Sequence, residues 1–214
     1  MPRPKSDIEE RILRAAHVRF LNEGVDTASL RAIARDAGTN IGMIYYYFPS
    51  KEDLFMGVVE EAYVKVLADL EQALARDLPV RDRLAGLYRR ISQLAGPEVE
   101  VFQIVLREIL KSNTRRQKLI DRFRRGHLPL IINAMRDGVT SGLIDERHHI
   151  AVTMLCTLVI GVIPQLIIRF ARAELPIPGA PAGEELASEL LGILLDGIGT
   201  HAAAIPVSPR SEEE

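Results

Sequence analysis

The chain of 214 residues has no tryptophan and only one cysteine, and aromatic residues make up just 5% of it. A lone Cys156 excludes an intramolecular disulfide, and Met1 to Asp7 lacks the apolar core of a secretion signal, so a reducing, cytoplasmic setting is expected. No alternating apolar and polar run reads as a strand, and no fixed-period repeat is visible. Nucleophile–base pairs, metal-ligand spacings and glycine-rich phosphate loops are also missing, which argues against an enzyme and against a cofactor. A net charge of −2 rules out a generally basic nucleic-acid coat.

Apolar residues at 47% and charged residues at 26% instead describe a soluble, globular protein. Charge is unevenly placed. Residues 1–51 hold eight Lys or Arg against six Asp or Glu; the totals of 27 and 29 leave 19 and 23 for the remainder. A small positive bias at one end suits a local DNA-contacting module.

Thr27 to Leu54 gives that module a shape. Leu30, Ile33, Ala34 and Ala37 stand at i, i+3, i+4 and i+7, the spacing of one helical face. Gly38 can take positive φ and let the chain turn. Thr39 and Asn40 offer capping oxygens to a second helix with Ile44 and Phe48 on its apolar side, and Pro49 closes it. Two short helices joined through a glycine match the helix-turn-helix, whose second helix enters the major groove.

The expected fold is all-α. Met1 to Ser6 reads as an unstructured arm in which Arg3 and Lys5 either fray or approach DNA. Asp7 to Asn22 is a helix ended by Gly24, with Ile8, Ile12, Ala16 and Phe20 packing behind the two-helix motif to make a three-helix head. Further helices are expected over Lys51 to Arg76, Val80 to Leu94, Val99 to Ser112, Gln117 to Ser141, His148 to Ala173 and Gly183 to Ala203. Ser50 caps the first of these, and Gly96-Pro97 and Leu175 to Gly183 serve as breaks. The domain reading is 1–50 for DNA binding, 51–204 for ligand binding and dimerisation, and 205–214 as a disordered proline-serine-acidic tail.

The ordered signals T-x-S-L-R-x-I-A-R-x-A-G and T-N-I-G-M-I-Y-Y-Y-F-P-S-K-E-D-L-F resemble the TetR family of bacterial transcriptional regulators, over about Ile8 to Tyr63. The resemblance implies a homodimer, one head per subunit, and a body that binds a small molecule and repositions the heads. It also implies a four-helix dimer interface from the helices at 148–173 and 183–203. The uncharged run Ile150 to Ile168 points the same way, as does the Leu186, Leu190, Ile193, Leu194, Ile198 pattern: both are too apolar for an outer face. Ile150 to Ile168 is also near the length of a membrane span, but Thr153, Thr157, Pro164 and Gln165 interrupt it and a buried helix is preferred.

Carried onto this sequence, the family's DNA contacts fall on Ser29 and Arg31, on Thr39 and Asn40, on Ile41, Gly42 and Met43 facing base edges, on Tyr45, Tyr46 and Tyr47, and on Lys51. Ser29, Thr39 and Asn40 have an alternative as caps, and Ile41 as core. Ile41, Gly42 and Met43 offer no bidentate hydrogen bonds, so base choice by contact with thymine methyls is expected. Three consecutive tyrosines, about 100° apart, cannot all be core.

Several clusters have a plainer reading. Asp145, Glu146, His148 and His149 are metal-ligand types at a helix start, where acids are ordinary caps. Cys156 reads as an inert thiol. Arg115, Arg116, Lys118, Arg122, Arg124, Arg125 and His127 read as a solvated helix face, with DNA or an anionic ligand as the alternative. Tyr88, Phe102, Met135 and Thr153, with Gln103, His127, Asn133 and Gln165, are pocket candidates by residue type. The functional reading is a DNA-binding repressor that holds a palindromic operator as a dimer and is released by an apolar or amphipathic effector. A non-catalytic helical dimerisation module is the alternative, and an enzyme ranks behind it.

Overall fold

The structure is a computed structural model that describes residues 6–94, 96–171 and 178–198. Among these residues every regular element is a helix: α1 Asp7–Glu23, α2 Leu30–Asp36, α3 Ile41–Tyr47, α4 Lys51–Ala73, α5 Val80–Ser92, α6 Gly96–Lys111, α7 Asn113–Arg124, α8 His127–Thr140, α9 Ile150–Ala171 and α10 Gly183–Ile198. The arm at 1–5, residues 199–203 and the tail at 205–214 lie outside the described residues.

Two compact units divide the chain: residues 1–72 with 94–129, and residues 73–93 with 130–214. No unit boundary falls at residue 50, where the sequence reading divides the chain. In the first unit the head shares one core with later helices: Ile12, Leu13, Ala16 and Phe20 of α1, Ile33, Ala34 and Ile44 of the motif, and Leu54, Phe55, Val58 and Val59 of α4 close over Val101, Ile104, Val105 and Leu119. Phe20 meets Phe55 edge to face at 6.5 Å. Joining α6 and α7 to the head enlarges a core that three short helices would leave marginal.

Local signals start and stop the first helices. Ser6 caps α1 by accepting the Glu9 N–H at 3.2 Å. At the end of α2, Gly38 has φ +63°, Thr39 N–H bonds to Ala34 O at 2.9 Å and Gly38 N–H to Arg35 O at 3.0 Å. That pair of bonds is a Schellman motif, which requires the left-handed residue glycine supplies. Asn40 caps α3 by accepting the Met43 N–H at 3.1 Å, and Ser50 caps α4 through the Asp53 N–H at 3.1 Å.

Two boundaries depart from the sequence reading. The single helix expected over Gln117 to Ser141 is two, α7 and α8, broken at Arg125 and Gly126. A Cβ on Gly126 would overlap the Tyr63 hydroxyl from α4, so any larger residue there would have to displace that side chain. The expected break at Gly96-Pro97 is instead the first turn of α6, where a proline forfeits no helical hydrogen bond.

The second unit packs α10 against α5 and α9. Leu84, Leu87 and Tyr88 of α5, Ile131, Ala134 and Met135 of α8, and Leu186, Leu190, Leu191, Leu194 and Leu195 of α10 are buried. α9 passes the length and composition test for a membrane span, yet buries Thr153, Thr157 and Gln165 inside the unit. Its other side is bare: Val152, Leu155, Val159, Ile163 and Ile167 are 36–59% exposed at spacings of three and four.

Candidate nucleic-acid interface

α3 buries Ile44 into the head, which leaves Gly42, Tyr45 and Tyr46 of this seven-residue helix facing outward. Tyr45 and Tyr46 are 51% and 67% exposed, far above the norm for aromatic side chains. Ser29, Arg31, Asn40 and Gly42 are exposed; Thr39, Ile41, Met43, Tyr47 and Lys51 are half-buried. The eleven residues therefore belong to the motif and its flanks as solvent-facing or partly facing positions, and none is in the core.

Their partners separate them further. Ser29 precedes α2 without a side-chain cap bond, so the capping alternative does not engage its hydroxyl, whereas Asn40 is a true cap. A Cβ on Gly42 would come within 3.0 Å of the capping Asn40 oxygen, which ties the missing side chain at 42 to that cap. Met43 and Tyr47 lean on the head core. Tyr46 and Tyr47 stack edge to face at 5.0 Å, and the Tyr47 hydroxyl accepts from Ser6 at 2.7 Å. Lys51 donates to the Asp26 carbonyl at 2.7 Å, and burial pulls its ammonium below the usual lysine range.

The basic stretch in α7 is not a solvated face. Arg115, 4% exposed, bonds Glu108 at 2.7 Å and Asp26 at 2.6 Å; Lys118 bonds Asp53 at 2.9 Å; Arg122 grips Glu60 through two bonds of 2.7 and 2.8 Å. The reading failed because, Glu108 of α6 apart, these partners sit far away in sequence, in the α1–α2 connection and along α4. Their carboxylates feel it. The Arg115 bond, then Lys111, holds Asp26 below the ordinary carboxylate range, and Ser50 followed by Lys118 does so for Asp53. Arg124 and Arg125 remain exposed.

The pocket candidates fall in different places. Tyr88, Met135 and Thr153 are buried in the second unit, where Tyr88 donates to the Thr157 carbonyl at 3.0 Å and Gln165 donates to the Tyr88 carbonyl at 3.2 Å. Burial pushes the Tyr88 phenol well above its usual range, so it acts as a neutral donor. Phe102 and Gln103 are half-buried in the first unit; Asn133 is half-buried in the second. Asp145 is engaged by the Arg147 N–H and guanidinium, and His149 accepts the Ala151 N–H at the start of α9. Cys156 is half-buried.

A Schellman turn between two short helices, the second offering two exposed tyrosines, on an all-helical frame defines a helix-turn-helix DNA-binding protein. Residues 12–58 match the family model of bacterial regulatory proteins, tetR family. Over 135 residues the chain is 24% identical to a fatty acid metabolism regulator protein of Bacillus subtilis, covering 63% of this chain and 70% of that one. It is 26% identical over 166 residues to the HTH-type transcriptional regulator UidR of Escherichia coli, covering 73% and 80%. The crystal structure of FadR from Bacillus subtilis in complex with stearoyl-CoA shares the fold at a TM-score of 0.71 and 23% identity, over 88% of this chain and 98% of that one. Residues 12–58 thus carry the DNA-binding domain of the tetR family, and the chain as a whole is similar in sequence and fold to transcriptional regulators of that kind.

Proposed function

We propose that the protein is a cytoplasmic repressor that binds a palindromic operator as a homodimer and is released by an amphipathic effector of the fatty acyl thioester class. Residues 1–50 are the DNA-binding part, and 51–204 carry effector binding and dimerisation. The observation that carries this reading is the outward face of α3, with Tyr45 and Tyr46 bare beside Gly42 and an engaged Asn40 cap. Phenol hydroxyls suit phosphate oxygens, as do Ser29, Arg31, Thr39 and Lys51 around them. Ile41 and Met43 supply methyl contacts to thymine, and Arg3 and Lys5 of the arm lie in sequence just before Ser6, which bonds Tyr47.

The bare apolar stripe of α9, joined by Ile193 of α10 at 57% exposure, supports dimerisation through these two helices. The effector class rests on the likeness to a fatty acid metabolism regulator and to a structure holding stearoyl-CoA. Tyr88, Met135 and Thr153, all buried in the second unit, are the proposed pocket residues. A dimer must set its heads about 34 Å apart to reach successive major grooves, so a modest change in separation abolishes binding. The test is selection of bound sequences from random DNA, repeated with stearoyl-CoA. A palindromic site lost on addition of the thioester supports the reading; failure to enrich any sequence overturns it, and enrichment unaffected by the thioester overturns the effector class alone.

A further inference from the structure

The helix-turn-helix is a loop of chain that leaves the frame at Asp26 and returns at Lys51, and the structure fastens both ends at one point. Lys51 donates across the neck to the Asp26 carbonyl at 2.7 Å. From outside the loop, Arg115 of α7 reaches both sides of the same neck: its Nη2 bonds the Asp26 carboxylate at 2.6 Å, and its Nη1 lies 3.5 Å from Glu52, the residue after Lys51. Its Nε bonds Glu108 of α6 at 2.7 Å, and Glu108 is fully buried. One guanidinium thus joins α6, the departing strand of chain and the returning helix.

Two neighbouring cations of α6 reinforce the grip. Lys111 pairs with the second oxygen of Asp26 at 3.1 Å, and Arg107 donates to the Leu21 and Phe20 carbonyls at the end of α1. Arg107 also lies 3.5 Å from Glu108, so Lys51, Arg107, Lys111 and Arg115 face Asp26, Glu52 and Glu108, four positive charges against three negative. A flat, forked guanidinium can satisfy three carboxylates in fixed directions, whereas a lysine in its place would keep the charge and lose the geometry.

We propose that Arg115 is the positioning residue for DNA binding: it buckles the neck of the helix-turn-helix, so that where α7 stands sets the orientation of residues 27–50 and of Lys51. Arg115 itself does not touch DNA. This rests on the DNA-contact reading of α3 and Lys51 given above.

The experiment uses the full chain with Arg115→Lys and Asp26→Asn, read by backbone hydrogen exchange and by operator affinity at several salt concentrations. Asp26 is half exposed and its replacement leaves the Arg115–Glu108 pair intact, so this variant decides the matter if Arg115→Lys fails to fold. Both changes should speed exchange across 27–50 by about tenfold while leaving α9 within about twofold, because local opening is governed by local contacts. Operator affinity should fall about tenfold with the slope of log affinity against log salt unchanged, whereas Lys51→Ala should lower that slope by about one. Unchanged exchange across 27–50 in both variants overturns the proposal. So does a slope that drops by about one when Arg115→Gln removes the charge, since that would make Arg115 a phosphate contact. If the parent protein selects no DNA, the DNA-binding reading fails, and the exchange measurement still decides whether the neck is buckled.

Discussion

The hydroxyl of Ser6 donates to the hydroxyl of Tyr47 at 2.7 Å while accepting the N–H of Glu9, so one side chain both starts α1 and holds the last tyrosine of α3. Accepting from Ser6 leaves the Tyr47 proton to point elsewhere, and a DNA phosphate is the acceptor that fits the proposed role. Ser6→Ala should therefore do two separable things. Loss of the cap should destabilise the protein by about 1 kcal/mol in thermal unfolding. Operator affinity should also fall, but much less so in a Tyr47→Phe background, where there is no hydroxyl left to orient. Equal losses in both backgrounds would leave Ser6 as a cap only.

Tyr63 and His127 form a pH-dependent joint. The Tyr63 hydroxyl accepts the His127 backbone N–H at 3.1 Å and bonds Nδ1 at 2.7 Å, where its proton is donated to the imidazole when Nδ1 is unprotonated. Burial, helped by the nearby Arg122 charge, pulls the imidazole down to about 4. With a folded value below the unfolded one of about 6.5, the unfolded chain binds more protons between these limits. Stability is thus complete above about pH 6.5 and falls as pH drops towards 4, by at most about 3 kcal/mol from this group. In urea unfolding across this range His127→Asn, which keeps an acceptor but cannot be charged, should show a shallower loss than the parent; parallel curves would remove His127 from the account.

The break after α7 makes a sharper demand. Gly126→Ala forces its Cβ against the Tyr63 hydroxyl and the adjoining ring carbon. An overpacked core residue costs about 1 to 3 kcal/mol, and the penalty should shrink when Tyr63→Phe removes the oxygen. Additive penalties measured by denaturant unfolding would show that the strain is relieved somewhere else.

How far these relationships could be read from sequence depended on whether both partners were close in the chain. Ser6, Gly24, Gly38, Asn40 and Ser50 act on neighbours a few residues away, and α1 to α4 were legible from them. The glycine that splits α7 from α8 acts through Tyr63, more than sixty residues earlier, so its spacing carried only the weak hint of Pro129 three residues on. Arg115, Lys118 and Arg122 look like solvent charges because Asp26, Glu52, Asp53 and Glu60 are invisible at that range. The helix-turn-helix faces were legible for the same local reason, while Asp26 and Ser6 as partners of Lys51 and Tyr47 were not.

The bare side of α9 leads to a prediction about assembly. Val152, Leu155, Val159, Ile163 and Ile167 recur at three- and four-residue steps, so they form one stripe, while Thr153, Thr157 and Gln165 turn inward. A stripe that apolar is costly in water, and a second copy brought onto it by two-fold symmetry would bury both at once. Leu155 is 59% exposed, so Leu155→Glu should leave the helical content intact. It should instead place two like charges in an apolar interface and yield monomers in analytical ultracentrifugation at concentrations where the parent sediments as a dimer. Each half-site would then be bound alone, and without the second head's effective concentration operator affinity should fall roughly 100-fold or more. A parent protein that sediments as a monomer throughout, or a Leu155→Glu variant that remains dimeric, would place the interface elsewhere and require another explanation for this stripe.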